Sequence, residues 1–527
     1  MSERKFGKLP AVLRIYRDAL ITDMKAAIKT TVAELLPVLV ARPLDSDLVA
    51  GERAVDSDGG GLSLASKLRN LSSESFVQLL AAIFKVIEAH LMQAAEVKKV
   101  IEWIMGNLDG MLSKLHYSKE RQTMVPVQIR PKISAISFSA DVLRENTEAV
   151  FAACDAAHGR WAKLLGVRAL LHPRLRLQEF LSIYNITQDF IAATEKIGGR
   201  LGYSIRGTLQ SQSKAFVDFQ HESRMTKIKA VLDQETWVTV DVPDEFQSIV
   251  VSLSSIDNGE LGPDILSSEM VESGVSSGEQ HFRINESGEH VPNPSNRTSP
   301  PSSNQENRAE PTPSVRNDDS NVKEHGRSTS QTLIYGGIGY HMVNCGLILL
   351  KMLSEYVDIS KCLPALSSEV VHRVVEILKL FNTRTCQLVL GAGAMQVSGL
   401  KSITSKHLAL ASQIISFIYA IIPDIRRVLF SKIPEARKAL LMSEIDRVAQ
   451  DYKIHRDEIH TKLVQIMRER LLANLRKLPQ IVESWNAPED NDLQPSQFAR
   501  SVTKEVLYLH RILSQTLLEV DVQAIFR

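Results

Sequence analysis

The sequence predicts an all-α protein, and three observations carry that prediction. Apolar residues recur at three- and four-residue steps through most of the chain. No strand pattern intervenes within the long periodic runs. A single stretch rich in proline, serine and asparagine interrupts them. The expected architecture is a set of stacked helical bundles and antiparallel rods, in two helical blocks joined by a disordered linker. The expected boundaries are an N-terminal helix and loop over 1–61, a helical block over 62–255, the linker over 256–331 and a C-terminal helical bundle over 332–527.

Each element has its own justification. From Phe76 the positions Phe76, Leu80, Ile83, Ile87 and Leu91, then Ile101, Ile104 and Leu108, form one helical stripe. Ser72 or Ser73 can cap its start, and Glu74 suits the positive end of the helix dipole. A second long helix begins near Ser204, with Ile205, Leu209, Phe216 and Phe219 on one face and Ile228 and Leu232 beyond. Residues 42–61 and 116–132 read as loops. Residues 256–331 hold seven of the 20 prolines and one aromatic residue, Phe282. Such a segment buries too little apolar surface to offset the entropy of ordering.

The C-terminal block, from about Leu333, reads as six or seven helical runs with Pro364, Pro423 and Pro434 falling between them. Between Ile377 and Pro423 there is no acidic residue, so these helices are expected to be packed on most sides. The apolar run 407–423 is shorter than the roughly 20 residues a membrane span needs and reads as a buried core helix.

Composition narrows the function. Lys and Arg number 62 against 61 acids, so no general field attracts nucleic acid or an acidic membrane. Cys154, Cys345, Cys362 and Cys386 are scattered without a C-x-x-C pair, which fits a reducing cytosol and indicates neither a disulfide framework nor a zinc cluster. The N-terminus lacks the apolar core of a signal peptide.

Five motifs invite chemistry, modification or binding, and none reads as a site. Leu388-Val389-Leu390 leads into Gly391-Ala392-Gly393 as a nucleotide-binding strand enters its glycine turn. The third glycine position is Gln396, however, and no acid follows before Asp424. As a helix, the same residues place Cys386, Leu390, Gly393, Val397 and Leu400 on one stripe, where Gly393 would admit a close neighbour. The G-x-S-x-G string around Ser276 lies in the linker, without the strand and helix that strain a nucleophile elbow. His455, Glu458 and His460 suggest a metal, but the histidines are five residues apart and diverge by about 140° on a helix, so a solvated face is expected. Asn185 and Asn296 match the glycosylation pattern without a secretory signal. The basic stretch 467–477 alternates arginine with leucine at helical spacing and reads as an ordinary amphipathic helix. No catalytic, cofactor-binding or metal-binding residue is therefore assigned, and neither nucleic acid nor a small-molecule substrate is expected.

Four longer strings carry a resemblance: "KLRNLSSESFVQLLAAIFKVIEAHL" (67–91), "RWAKLLGVRALLH" (160–172), "LQSQSKAFVDFQHESRMTKIKAVLDQETWVTVDVPDEFQ" (209–247) and "FNTRTCQLVLGAGAMQVSGLKSITSKHLALASQ" (381–413). They resemble the vacuolar-protein-sorting subunit fifty-four family of the Golgi-associated retrograde protein (GARP) complex, in a plant-like form. The resemblance implies a tether that captures endosome-derived carriers at the trans-Golgi network, with the stacked bundles of the CATCHR type. It implies as partners the other GARP subunits, SNAREs, small GTPases and the endosomal or Golgi membrane surface, and it implies no active site. The expected location is the cytosol and the periphery of trans-Golgi and endosomal membranes. Only the middle and C-terminal parts of the family are expected here, without its N-terminal assembly segment and final helices. The alternatives are a helical adaptor or regulator of a small GTPase and, least favoured, a nucleotide-binding enzyme.

Overall fold

The computed structural model describes residues 8–41, 63–120, 130–255, 329–391, 402–485 and 495–527. The expected linker, the loop over 42–61, Ser276, Asn296, Gly393 and Gln396 lie outside the described residues. The described chain is overwhelmingly α-helical, as the periodicity predicts.

The N-terminal portion comprises α1 (Leu9–Val40), α2 (Leu64–Arg69), α3 (Ser73–Glu120), α4 (Arg130–Val167), α5 (Leu177–Gly198), α6 (Tyr203–Asp233) and α7 (Asp244–Ser254). Ser72 starts α3 as expected, its hydroxyl accepting the Ser75 amide at 3.0 Å. Phe76, Leu80, Ile83, Ile87 and Leu91 are all buried. The stripe then continues through Ala94 and Met105, leaving Ile104 43% exposed. At 100° per residue Met105 returns to the direction of Phe76 and Ile104 does not. The centre of this core is Trp161, stacked on Phe190 with centroids 4.0 Å apart, with Phe84 edge-on to both.

Helix α6 has a buried face that turns along its length. Ile205 and Leu209 belong to the core of α1 to α5. Phe216, Val217, Ile228 and Leu232 belong to a second core shared with the C-terminal helices. Phe219, expected on the first face, is left partly exposed beside the Arg174 guanidinium because the core has moved around the helix by that point.

After residue 329 the chain forms short strands that the periodicity did not indicate. Strand β1 (Val242–Pro243) pairs antiparallel with β2 (Thr329–Ser330), and β3 (Leu333–Tyr335) pairs with β4 (Ile338–Tyr340). Gly336 and Gly337 join β3 to β4 with φ of 57° and 78°, a turn that needs two residues in the left-handed region. Helices α8 (Asn344–Cys362), α9 (Ser367–Val389), α10 (Ser405–Phe430), α11 (Glu435–Leu475), α12 (Leu478–Trp485), α13 (Gln497–Ser514) and α14 (Glu519–Phe526) follow.

Helix α10 is the buried core helix expected at 407–423, lying against α8, α9, α11 and α13. By length and composition α10 could cross a membrane, as could Ser73–Leu108 of α3, but most of α10 is covered by its neighbours. Pro423, expected between helices, lies inside α10. The missing amide costs about 3 kcal/mol in a helix interior. Burial of Ile421, Ile422, Ile425, Val428 and Leu429 on either side outweighs that cost. Pro364 and Pro434 do fall in breaks, the first in a 3-10 turn and the second directly before α11.

The described residues of 1–254 and 329–527 form one compact unit. The second core runs without interruption from Phe180, Phe216 and Trp237 into Leu350, Phe381 and Phe417. The two expected helical blocks therefore share one core among the described residues. Apolar periodicity locates buried faces but does not say which distant helix covers them.

Candidate interaction surfaces

The joint between the two portions is polar as well as apolar. Arg224 on α6 reaches Glu355 on α8 at 2.9 Å, its guanidinium 4.9 Å from the Tyr356 ring centroid. Arg373 on α9 meets Asp218 of α6 at 3.0 Å and its own helix neighbours Glu369 and Glu376 at 2.7 and 2.8 Å. Arg384 pairs with Asp233 at 2.7 Å. His221 lies between Tyr356, 2.7 Å from Nδ1, and Glu376, 3.1 Å from Nε2. The carboxylate accepts, so Nε2 carries the proton and the Tyr356 hydroxyl donates to Nδ1. Burial lowers the His221 pKa, with Glu376 opposing the shift. Sequence reasoning singled out none of these residues. Their only local signal is the spacing of Glu369, Arg373 and Glu376 on one helix face.

The glycine segment is not entered by a strand. Leu388 and Val389 form the last turn of α9, and the Leu390 amide closes it on the Cys386 carbonyl at 2.9 Å. The expected stripe from Cys386 to Leu400 therefore does not run on as one helix, because α9 ends before Gly391. A Cβ built on Gly391 would lie 2.4 Å from the Gln387 carbonyl oxygen, so only glycine fits where the chain leaves the helix.

The histidines of 455–460 point inward, which corrects the expected solvated face. His455 is buried, with Nδ1 2.7 Å from Asn382 Oδ1, and burial lowers its pKa to about 4. His460 Nε2 is 2.8 Å from the Ser412 hydroxyl, while Glu458 is exposed. The physical reason is that α11 is covered by α9, α10, α13 and α14 on different sides. Among the described residues no group of three or more His, Cys, Asp or Glu could hold a metal ion.

Asn185 is on α5, and the Thr187 of its motif is buried, its hydroxyl bonded to the Ile183 carbonyl at 2.8 Å and accepting the Trp161 indole N–H at 3.2 Å. That threonine is a core residue. In the basic stretch, Arg470 pairs with Glu505 of α13 at 3.0 Å, while Leu472 and Leu475 are 43% and 47% exposed. The leucines thus do not all face the core, and the end of α11 presents apolar and basic groups together. Trp103 (71%) and Leu170 (87%) are more exposed apolar side chains elsewhere.

Long helices locked by side-chain pairs, with some apolar side chains left outside the core, define a helical scaffold. Residues 338–470 match the family model described as Vps54-like protein. The chain is 57% identical to vacuolar protein sorting-associated protein 54, chloroplastic, of Arabidopsis thaliana, over 99% of this chain and 55% of that protein. It is 31% identical to vacuolar protein sorting-associated protein 54 of Homo sapiens, over 72% of this chain and 32% of that protein. The chain belongs to the Vps54 family. It spans about half the length of the plant relative and a third of the human one. No solved structure matches it.

Proposed function

We propose that this chain is a non-catalytic part of a vesicle tether for retrograde transport from endosomes to the trans-Golgi network, acting by protein contacts. The observation that carries the reading is the 57% identity extending over 99% of the chain to a vacuolar protein sorting-associated protein. The physical form suits the role. Long helices span distance at about 1.5 Å per residue, and tethering needs reach and several moderate contacts. The partners in this reading are the other GARP subunits, SNAREs and small GTPases, and the chain sits peripherally on trans-Golgi and endosomal membranes.

Proximity labelling from the tagged chain in plant cells tests the proposal. Labelled GARP subunits, endosomal and Golgi SNAREs and small GTPases are the expected outcome. The name of the plant relative supplies the contrary result: labelling confined to chloroplast proteins would end the retrograde-transport reading.

A further inference from the structure

A groove of about 990 Å³ lies between α1, α2 and α4, lined by no residue of the glycine segment or of the α11 cluster. Its floor is apolar. Ile28, Val32 and Leu36 of α1 and Leu68 of α2 are buried, and Leu164 and Val167 of α4 complete it. Its rim carries Lys25 and Lys29 from α1, Lys67 from α2, and Arg160 and Lys163 from α4. All five are exposed, and none makes an ion pair or a side-chain hydrogen bond with another described residue. Among the described residues no Asp or Glu lines the groove. In a chain with 62 basic and 61 acidic residues, five cations facing no carboxylate among the described residues is a pronounced local imbalance.

We propose that this groove binds an acidic amphipathic helix of a partner protein. The groove is lined from Thr22 to Val40 of α1 and by Ala41 just beyond it, a length of roughly 28 Å at 1.5 Å per residue, which matches a helix of about five turns. Ala26 and Ala33 are exposed along that wall, so a second backbone can approach closely. An incoming helix places apolar residues at i, i+3, i+4 and i+7 on the floor, and its flanking Asp and Glu meet the cations on both walls. A bilayer surface fits less well. Ile28, Val32, Leu36 and Leu68 are 3–8% exposed below the rim, so a planar surface touches the lysines and leaves the floor open. A second copy of the chain would bring near-neutral charge to a cationic site. The inference stands on this geometry and does not depend on the tethering reading.

The test uses the full 527-residue chain and a labelled, helix-stabilised peptide of about 20 residues, with leucine at i, i+3, i+4 and i+7 and glutamate on the flanks. Fluorescence anisotropy should show saturable binding that weakens with salt, and no binding of the same peptide with lysine replacing glutamate. The combined variant Lys29→Glu, Lys67→Glu and Lys163→Glu should weaken binding by at least about tenfold. Ala33→Trp, which fills the groove without changing charge, should weaken it comparably. Both variants are to melt at the parent temperature.

Equal binding by parent and both variants, or no binding by the parent, overturns the proposal. Capture of phosphatidylserine vesicles that charge reversal abolishes and Ala33→Trp leaves intact, without peptide binding, assigns the cations to a membrane and overturns it. Self-association abolished by the charge reversal assigns the groove to a second copy and likewise overturns it. Residues 42–62 carry five carboxylates. Peptide binding that arises only after their replacement by a neutral linker means the chain occupies its own groove, which also overturns the proposal.

Discussion

Glu235 accepts the backbone amide of Cys345, 110 residues later, at 2.7 Å, so a carboxylate following α6 caps the first turn of α8. Its other oxygen accepts the amides of Thr236 and Trp237 at 3.0 and 3.2 Å. These bonds hold Trp237 at φ 54°, a left-handed backbone that an L side chain rarely adopts. One buried side chain thus ends a turn in one portion of the chain and starts a helix in the other.

Glu235→Ala is expected to destabilise the protein by roughly 2–3 kcal/mol, since it orphans buried amides at a helix N-terminus. Glu235→Gln, which keeps an acceptor without the charge, should cost about half as much. Urea unfolding of the two variants checks this. A Glu235→Ala midpoint equal to the parent's would mean the cap contributes nothing.

A single cut at a protease site engineered within residues 270–300 should leave one particle. The shared core and the pairs Arg224–Glu355, Arg384–Asp233 and β1–β2 connect the two portions without the intervening chain. Gel filtration of the cut protein in native buffer reads the outcome, and separation into two species would contradict it.

Gly391→Ala should destabilise by roughly 1–3 kcal/mol, because its methyl group meets a backbone carbonyl that cannot give way as a side chain can. Gly207, exposed inside α6 with nothing within 4 Å of an added methyl group, supplies the opposite sign. Gly207→Ala should stabilise by about 1 kcal/mol through helix propensity. Thermal melts of the parent and both variants, run with and without NAD, also show whether the glycine segment binds that dinucleotide.

Stability should fall as pH drops from about 6.5 to about 4 and then level off for two histidines. Burial lowers the pKa of both His172 and His455 to about 4, with Arg168 adding to the effect at His172. In each ring Nδ1 has an amide partner and buried Nε2 has none, so a proton added there meets no acceptor. Between the two pKa values the unfolded chain binds protons that the folded one refuses, hence the loss on acidification. Each histidine contributes on the order of 3 kcal/mol across that window. Denaturant titrations from pH 7 to 4 should show a shallower fall for His455→Gln than for the parent.

At pH 8 a thiol reagent should modify Cys362 first. Cys362 is exposed, whereas Cys154 and Cys345 are buried, and burial raises the Cys154 pKa to about 12. Mass spectrometry of the partly labelled protein identifies the site. Early labelling of Cys345 would mean that the α8 cap opens readily.

The helix assignments were legible because apolar side chains at helical spacing report burial directly. The buried series from Phe76 to Leu91 and the core helix α10 follow from that rule. The β3–β4 hairpin was also signalled locally, by adjacent Gly336 and Gly337, but the helical rhythm around it masked the signal. The rim of the groove left no trace in the sequence. Lys25, Lys67 and Arg160 come from three helices, and each alone is an ordinary solvated cation.

What the sequence by itself determined is the all-α class, the buried series from Phe76 to Leu91, the core helix α10 and the family, since these depend on short-range periodicity and on long strings of identity. Only the tertiary structure decided that α6 turns its buried face from one core to the other, that Glu235 caps α8, and that His455 points into a packed interior. Those features depend on which distant surfaces meet, and the packing energy that selects them is shared among many side chains far apart in the chain.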